Sequence, residues 1–347
     1  MAAAPSLNLQ SNLPSLKRTF SNGRLRKPRS SSSIVALHQN GSLRSHGTPG
    51  LRVAFQGSTG AYSEFAAKTA CPECSTVPCR SFADAIAAVE RNRADRAIVP
   101  VESTMEGTAL RNYDLFLRHD LRIVQEINLF VHYCLLAMPG VSTAELRRVI
   151  SHPMALAHCG RALERLGLDR EAVEDTAGAV KMLLSEQMLD TAAIASPRAA
   201  AIYGLDVLAG GLQDESWNVT RFLLLSKLPE PLPPSSSGKM KTSMVVAHRG
   251  GSMTVLLKIL SAFSSRDISL TKLEVNNPTM EGKGPVIILD VRSPAMLKTF
   301  PHVLYVDFEG SIEDEKVKEA IDEISSFSVF VRVLGCYGAD PHVYDLY

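Results

Sequence analysis

Acidic residues are missing from the start of this 347-residue chain, where the first aspartate or glutamate is Glu64. The first fifty residues instead hold seven lysines and arginines and the serine run at 30–33. Basic, serine-rich and acid-poor composition is typical of a peptide that directs a protein to a plastid or a mitochondrion. We therefore expect residues 1–50 to be a disordered transit peptide.

Long apolar runs and an excess of positive charge are also missing. No stretch approaches the roughly 18 consecutive apolar residues of a membrane-spanning helix, so we place no part of the chain in a membrane. Without residues 1–50 the 37 basic residues fall to 30 while all 36 acidic residues remain, which leaves a net charge of −6. This balance disfavours nucleic acid as a partner.

The chain has few paired metal ligands. Cys71 and Cys74 are separated by two residues, but no second pair of Cys or His at a matching spacing follows nearby. A structural zinc site needs four ligands, so we expect no metal and reduced thiols. The length suits about two domains, and 45% hydrophobic with 21% charged residues is ordinary for globular domains.

Strands and helices alternate from residue 51 to residue 227. Apolar runs that predict strands lie at residues 51–55, 96–101, 148–151 and 192–196. Pro153 and Pro197 follow two of these runs at positions typical of a first helical turn. The alternation predicts an α/β domain at 51–228 with a largely parallel sheet, and ligands bind such sheets beyond the carboxyl ends of the strands.

The composition changes at residues 229–241, PEPLPPSSSGKMK, which predict a linker. Beyond the linker, strands are predicted at 242–247, 268–275, 286–291, 303–308 and 329–335, and helices at 253–264 and 312–326. Apart from one additional strand, this order is that of a small ferredoxin-like βαββαβ domain, which we expect at 242–337, followed by a tail at 338–347. Its exposed sheet edges favour pairing with a second copy, so we expect a homo-oligomer.

A glycine-rich motif, GSTGAYSE at residues 57–64, lies between a predicted strand and a predicted helix. Backbone N–H groups at such a position attract an anion. The spacing is not GxGxxG and no P-loop lysine is present, which favours a carboxylate over a nucleotide phosphate. A tight turn that needs glycine is the alternative interpretation.

Two further motifs, PVESTMEGTALRNYD at 100–114 and SHPMALAHC at 151–159, also follow predicted strands. Ser103 and Thr104 either contact a polar substrate or cap a helix. His152 either transfers a proton or forms a structural hydrogen bond, and no carboxylate partner is evident from the sequence.

The fourth motif is GLQDESWNVTRFLLLSK at 211–227, which contains the only tryptophan, Trp217. Asn218 and Thr220 precede an apolar run at 222–225, and strand alternation would place both on one side. An amide and a hydroxyl there offer hydrogen bonds without a charge. Capping of the strand is the alternative.

The motifs GSTGAYSE, PVES, SHP, EDTA and NVTRF, in this order, resemble the prephenate dehydratase family. KTSMVVAHRGG at 241–251 and LSAFSSRDISLTKLE at 260–274 resemble the regulatory ACT domain that follows in this family. The resemblance covers residues 51–337 and implies two α/β lobes around a ligand cleft, followed by an ACT domain. Together with the basic leader, it is closest to the plastid members from plants, which implies a location in the chloroplast stroma.

The resemblance implies decarboxylating dehydration of arogenate, or of prephenate, to phenylalanine or phenylpyruvate, without a metal or a cofactor. Thr220 is implied as the proton donor to the departing hydroxyl. The implied substrate contacts are Thr59, Gly60, Glu102, Ser103, Thr104, Ser151, His152, Asn218 and Arg221. An amino-acid effector is implied at the ACT domain, near Gly250, Gly251, Glu274 and Asn276.

The chain departs from the family pattern at several places. Ser103 replaces the asparagine of PVENS, Met154 replaces the glutamine of SHPQ, and Trp217 replaces a smaller residue. Residues 274–277 read EVNN in place of ESRP. We predict reduced or retuned activity, because a lost hydrogen bond slows an enzyme without necessarily silencing it. A non-catalytic paralogue that binds partners or aromatic metabolites and a solute-binding module are the alternative hypotheses.

Overall fold

The computed structural model describes residues 50–227, 238–248, 253–277, 284–291 and 296–346. Residues 1–49 of the predicted transit peptide, most of the predicted linker and the Gly250–Gly251 pair lie outside these residues. No helix within the described ranges is both long enough and apolar enough to cross a membrane.

Strands and helices alternate along most of the described chain. The strands are β1 (Arg52–Gln56), β2 (Ser75–Cys79), β3 (Arg96–Ser103), β4 (Gly107–Thr108), β5 (Arg122–Phe130), β6 (Cys134–Ala137), β7 (Arg148–Ser151), β8 (Asp169–Ala172), β9 (Thr191–Ala195), β10 (Asp206–Ala209), β11 (Val219–Ser226), β12 (Met240–His248), β13 (Leu270–Asn276), β14 (Val286–Asp290), β15 (Met296–Phe300), β16 (His302–Glu309), β17 (Phe330–Gly338) and β18 (Val343–Tyr344). The α-helices are α1 (Tyr62–Ala70), α2 (Phe82–Glu90), α3 (Leu110–Leu117), α4 (Pro153–His158), α5 (Gly160–Leu166), α6 (Thr176–Glu186), α7 (Pro197–Tyr203), α8 (Met253–Ser264) and α9 (Glu315–Phe327).

The first lobe is built on a sheet of order β18-β5-β11-β3-β1-β2, with β4 beside β3. Strands β1, β2 and β3 are parallel, whereas β11 runs antiparallel between β3 and β5. The apolar run of β11 is buried on both faces, because Phe222 and Leu224 join one hydrophobic core while Leu223 and Leu225 join another. The carboxyl ends of β1, β3 and β5 and the start of β11 therefore share one edge of the sheet.

The second lobe contains a sheet of order β10-β6-β9-β7-β8. Strands β7, β8 and β9 are parallel, and β6 and β10 complete the sheet in antiparallel pairs. Pro153 and Pro197 occupy first-turn positions of α4 and α7, as the sequence predicts. The predicted α/β class is confirmed, but the prediction of one largely parallel sheet is wrong, since two mixed sheets form.

The third sheet has the order β13-β16-β12-β17 and is antiparallel throughout. Helices α8 and α9 cover one face, while Val245 and Tyr305 on the other face share a core with Leu223 of the first lobe. The strand predicted at 286–291 is not part of this sheet. It is β14, which forms a separate hairpin with β15 because the two apolar runs pair with each other.

Two close contacts attach this third sheet and the chain that follows it to the first lobe. A Cβ on Gly335 of β17 would lie 2.2 Å from the carbonyl oxygen of Ile123 in β5, so only glycine permits this approach. The predicted tail does not hang free at Val343–Tyr344, because these residues form β18 and pair in parallel with Asn128 and Leu129.

Candidate functional site

The strand ends of the first lobe contact the second lobe directly. The Ser196 hydroxyl donates to the carbonyl of Gly60 at 2.7 Å, and the Tyr203 hydroxyl donates to the carbonyl of Thr59 at 3.0 Å. A Cβ on Gly60, which has a φ of +93°, would lie 3.1 Å from the Cα of Ala199. The glycine in this turn therefore allows the two lobes to touch.

A hollow of about 120 Å³ lies between the glycine turn of the first lobe and helix starts of the second lobe. Its lining residues are Gln56, Gly57, Ala61, Tyr62, Ser63, His152, Glu174, Asp175 and Thr176. Three motifs that are far apart in the sequence thus meet in one cavity: GSTGAYSE, SHP and EDTA. A wider and more open depression of about 530 Å³, lined by residues such as Arg161 and Gln213, contains none of the predicted site residues.

The wall from the first lobe is the amino end of α1. Glu64 is buried and fixes the turn, because one carboxylate oxygen accepts from the Gly60 N–H at 2.7 Å and the other from the Thr76 hydroxyl at 3.0 Å. The residue at the start of the helix, Ala61, supplies no capping side chain. Unsatisfied N–H groups at a helix start carry partial positive charge, so this wall favours an anion.

The wall from the second lobe combines two capped helix starts. Asp175 accepts from the Gly178 N–H at 2.7 Å and caps α6, and the Nδ1 atom of His152 accepts from the Met154 N–H at 3.2 Å and caps α4. Burial lowers the pKa of His152, and the nearby carboxylate of Asp175 opposes this shift. An Nδ1 atom that accepts a backbone hydrogen bond carries no proton, so we assign His152 as a neutral imidazole.

Thr220 and Ser103 are paired across β11 and β3, and directly opposed residues point to the same face. The other neighbour of Thr220, Leu129, belongs to the core that includes Ala61 of the hollow. The Thr220 and Ser103 side chains therefore lie on the same side of the sheet as Ala61 and α1, although neither residue is among those that line the hollow. In the described part of the chain, no hydrogen bond engages the Thr220 hydroxyl.

Three other predicted site residues form hydrogen bonds with the protein itself. The Thr104 hydroxyl donates to the carbonyl of Trp217 and accepts from the N–H of Val219, which joins the end of β3 to the start of β11. Asn218 is 1% exposed and donates to the carbonyl of Val131, and Ser151 is fully buried and donates to the carbonyl of Ile194. These side chains hold strand ends in place.

The structure does not bring Arg221 and Glu102 together with Thr220. Alternation along β11 directs Arg221 to the opposite face, where its guanidinium binds Glu126, Asp307 and Tyr337. Glu102 lies on that face too, 3.5 Å from Arg221 and 3.3 Å from Lys272.

The two predicted effector residues that the structure describes lie on β13. Asn276 is buried and donates to Asp114 of the first lobe at 3.4 Å, whereas the side chain of Glu274 is half-buried. Asn276 is therefore turned toward the first lobe.

Sequence reasoning missed a polar cluster that joins the lobes beside the strand ends. Glu106, in the loop after β3, lies 2.6 Å from Nε2 of His158 at the end of α4, and Nδ1 of His158 is 3.4 Å from the Tyr133 hydroxyl. Burial raises the pKa of Tyr133, so its hydroxyl keeps its proton. Both Glu106 and His158 lie in motifs noted above, but nothing in the sequence shows that two side chains 52 positions apart form a pair.

Comparison with known proteins identifies similar chains. A family model described as prephenate dehydratase matches residues 53–230. Arogenate dehydratase/prephenate dehydratase 6, chloroplastic, of Arabidopsis thaliana is 50% identical over 297 residues, which are 85% of this chain and 70% of that protein.

Two solved structures are also similar. Prephenate dehydratase from Arthrobacter aurescens in complex with L-Phe has 28% identity and a TM-score of 0.71, over 84% of this chain and 92% of the other. GqqA, described as a novel type of quorum quenching acylase, has 33% identity and a TM-score of 0.69, over 84% and 98% of the two chains.

Proposed function

The chain belongs to the prephenate dehydratase family, and on that premise we propose that it is an arogenate dehydratase of the plastid. The reaction removes carbon dioxide and water from arogenate and leaves phenylalanine; with prephenate the product is phenylpyruvate. The Arabidopsis relative is named for both activities and as chloroplastic, which supports the reaction and the location. A hollow shared by three distant motifs is the structural observation that carries the assignment.

The reaction requires the protein to donate one proton to the substrate. When the ring carboxylate leaves as carbon dioxide, its bonding electron pair moves into the ring and expels the hydroxyl at the far side, which departs as water once it is protonated. Thr220 is assigned as the donor of this proton, supported by a hydroxyl that has no hydrogen-bond partner among the described residues and lies on the α1 side of the sheet. Ser103 lies beside it and offers a second hydroxyl. Formation of the aromatic ring supplies most of the driving force, so placement of the substrate is the main task of the protein.

Binding of the substrate carboxylates is assigned to the two helix starts that face each other across the hollow. The uncapped amino end of α1 and the neutral imidazole of His152 provide hydrogen-bond donors without bringing a buried negative charge. Thr59 and Gly60 support this wall through their carbonyl contacts with α7. The hollow is smaller than the ~300–1,000 Å³ of ordinary ligand pockets, so we infer that the lobes separate to admit the ring.

The choice between arogenate and prephenate depends on an amino group versus a keto group. Glu102 forms ion pairs with Arg221 and Lys272 on the opposite face of the sheet. We therefore assign recognition of the arogenate ammonium to Glu174, an exposed carboxylate that lines the hollow. A Glu174→Gln variant should raise the KM for arogenate and leave the KM for prephenate unchanged, because only arogenate carries a positive charge. Equal changes for both substrates would contradict this role.

Residues 242–337 are proposed to be an ACT domain, on the basis of the βαββαβ connection and the sequence resemblance. The structure in complex with L-Phe makes an amino acid the effector to test here. Because Asn276 faces the first lobe, we expect phenylalanine control to differ from that of chains with the ESRP motif. A homo-oligomer is supported by exposed apolar side chains on α8 and β13, among them Met253 and Leu257, and light scattering of the purified protein tests it.

The decisive experiment incubates the purified full chain with arogenate and, separately, with prephenate. Mass spectrometry should find phenylalanine from arogenate, at a higher turnover number than phenylpyruvate from prephenate. Recovery of both substrates unchanged would overturn the proposed activity. Binding of arogenate without turnover would identify a non-catalytic paralogue.

A further inference from the structure

Arg221 is the centre of a buried charged cluster between the first lobe and the C-terminal sheet. All three nitrogens of its guanidinium are used: Nε donates to Glu126 at 2.8 Å, one terminal nitrogen donates to Asp307 at 2.7 Å, and the other donates to the hydroxyl of Tyr337 at 2.9 Å. Glu126 belongs to β5 of the first lobe, whereas Asp307 and Tyr337 belong to β16 and β17. Each guanidinium nitrogen of Arg221 therefore makes one hydrogen bond, and the side chain is held by both the first lobe and the C-terminal sheet.

The cluster is closed to solvent and electrically balanced. Arg221 is 8% exposed, Glu126 and Asp307 are each 2% exposed, and Tyr337 is fully buried. Lys241 of β12 adds a second positive charge, 3.0 Å from Glu126. Glu102, 3.5 Å from Arg221, and Lys272, 3.3 Å from Glu102, adjoin the cluster, so three cations face three anions. Removal of one buried member leaves an uncompensated charge in a region of low dielectric.

The position of Arg221 in the chain connects this cluster to the proposed proton donor. Thr220 precedes it in β11 and points to the opposite face. Neighbouring residues of a strand share a peptide plane, so a shift of the Arg221 backbone moves the Thr220 hydroxyl as well. A displacement of about 1 Å in an active site can lower a rate about 100-fold.

The neighbouring strand is held in the same way. Lys272 of β13 lies 3.3 Å from Glu102 and donates to the Thr108 hydroxyl at 2.6 Å. Glu102 precedes Ser103, the residue paired with Thr220. The C-terminal sheet therefore contacts both strands of the first lobe at the residue adjacent to a proposed site hydroxyl.

We propose that Asp307 and Tyr337 of the C-terminal sheet are positioning residues for the dehydratase reaction, acting through Arg221 on the placement of Thr220. The inference rests on the proposed function of Thr220. It assigns the C-terminal sheet a role in turnover in the absence of any effector.

Arg332 of β17, which also lies in the contact between the C-terminal sheet and the first lobe, offers a matched control. It is 4% exposed and donates to the carbonyls of Leu117, His119 and Leu121 of the first lobe. These acceptors lie at the end of α3 and in the loop before β5, not on β3 or β11. An Arg332→Met variant should weaken the contact between the C-terminal sheet and the first lobe without displacing Thr220.

The test compares Asp307→Asn, Asp307→Glu, Tyr337→Phe and Arg332→Met with the parent full chain, at a temperature well below the melting point of each. With arogenate we expect Asp307→Asn to lower kcat about 10- to 100-fold with KM nearly unchanged. Tyr337→Phe removes a single hydrogen bond and should lower kcat less. Asp307→Glu keeps the carboxylate and should recover part of the loss, whereas Arg332→Met should lower the melting temperature and leave kcat at the parent value.

Amide hydrogen exchange of residues 219–226 gives a second measurement that does not depend on turnover. Exchange should be faster than in the parent for Asp307→Asn and Tyr337→Phe and unchanged for Arg332→Met. If the Asp307 and Tyr337 variants match Arg332→Met in both kcat and exchange, the positioning role is overturned. An inactive parent would refute the proposed function alone, since exchange would still decide whether the C-terminal sheet holds β11. If Asp307→Asn does not fold, Tyr337→Phe decides by the same two measurements.

Discussion

Within the described ranges the Thr220 hydroxyl makes no hydrogen bond, and it lies beside Ser103, which makes it the most directly testable group of the proposed site. A Thr220→Ala variant should lose about 100-fold or more in kcat, because loss of a positioned proton donor typically costs 10²- to 10⁴-fold. Thr220→Ser keeps the hydroxyl and should retain most of the activity. Steady-state kinetics with arogenate checks both, and circular dichroism checks that each variant is folded. An alanine variant with parental turnover would remove Thr220 from the mechanism.

The lowered pKa of His152 should make the free energy of unfolding depend on pH. Its folded-state pKa is lowered, chiefly by burial, so the unfolded chain binds a proton at a higher pH than the folded chain does. The contribution of His152 to stability should therefore be constant above about pH 6.5, the ordinary histidine value, and fall as the pH drops from there toward the folded-state pKa. Protonation also removes the Nδ1 acceptor that caps α4.

The matched variant for this prediction is His152→Asn, which retains a side-chain acceptor suited to a helix start but does not titrate. Urea unfolding of both proteins between pH 5 and 8 gives the comparison. We expect the stability difference between parent and variant to change with pH only below about pH 6.5. Parallel curves over the whole range would contradict the role of His152.

Residue by residue, the sequence located the segments of the candidate site better than the directions of their side chains. GSTGAYSE, SHP and EDTA do meet in one hollow. Glu102 and Arg221 stand next to Ser103 and Thr220 in the sequence and turn to the opposite face. Alternation predicts that neighbours face opposite sides, but which side carries the site cannot be read before the strand register is known. The Glu106–His158 pair depends on the contact between lobes and has no local signal.

Among the secondary-structure elements, the end of β3 and the start of α4 carry two of the departures from the family pattern, Ser103 and Met154. Among the described residues the Ser103 hydroxyl has one hydrogen-bond partner, the Met105 N–H, and Met154 on the first turn of α4 is 37% exposed. An amide at either position would reach farther and offer both a donor and an acceptor. The altered residues therefore lie where a polar side chain has room.

We expect Ser103→Asn and Met154→Gln to raise kcat/KM for arogenate, roughly two- to tenfold for each restored hydrogen bond. Steady-state kinetics of the two single variants and the double variant measures the gain. Parental or lower values in all three would mean that these departures do not limit the enzyme. Activity that appears only in the double variant would favour the non-catalytic paralogue.

The elements also show which sequence signals were sufficient and which were not. The helix starts at Pro153 and Pro197 were predicted correctly, because a proline that follows a strand signal favours the first helical turn. β14 was assigned to the wrong sheet, since an apolar run reveals a strand but not its partner. β18 has two residues and no pattern to detect.

At the scale of the whole molecule, the close contact between β17 and β5 requires glycine at position 335, because any side chain there would collide with Ile123. A Gly335→Ala variant would place Cβ 2.2 Å from the Ile123 carbonyl oxygen and 2.7 Å from its Cβ, so one backbone must move. We expect a loss of at least about 1–3 kcal/mol in the free energy of unfolding, as for other overpacked positions. The variant should weaken the packing of the third sheet against the first lobe.

Gly284→Ala is the matched control for this prediction, because a Cβ there meets no atom within 4 Å. Urea denaturation or calorimetry of the two variants measures the difference. The control should stay close to the parent. Equal stability of the two alanine variants would mean that the sheets have room to separate without cost.

Completion of the first sheet has a consequence for synthesis on the ribosome. β11 must enter between β3 and β5, and it is translated only after the entire second lobe; β18, which closes the other side of β5, is translated after the third sheet. Until then the nascent chain presents unpaired strand edges, which invite association with other chains. We therefore expect newly made protein to depend on chaperones until residues 343–344 have emerged.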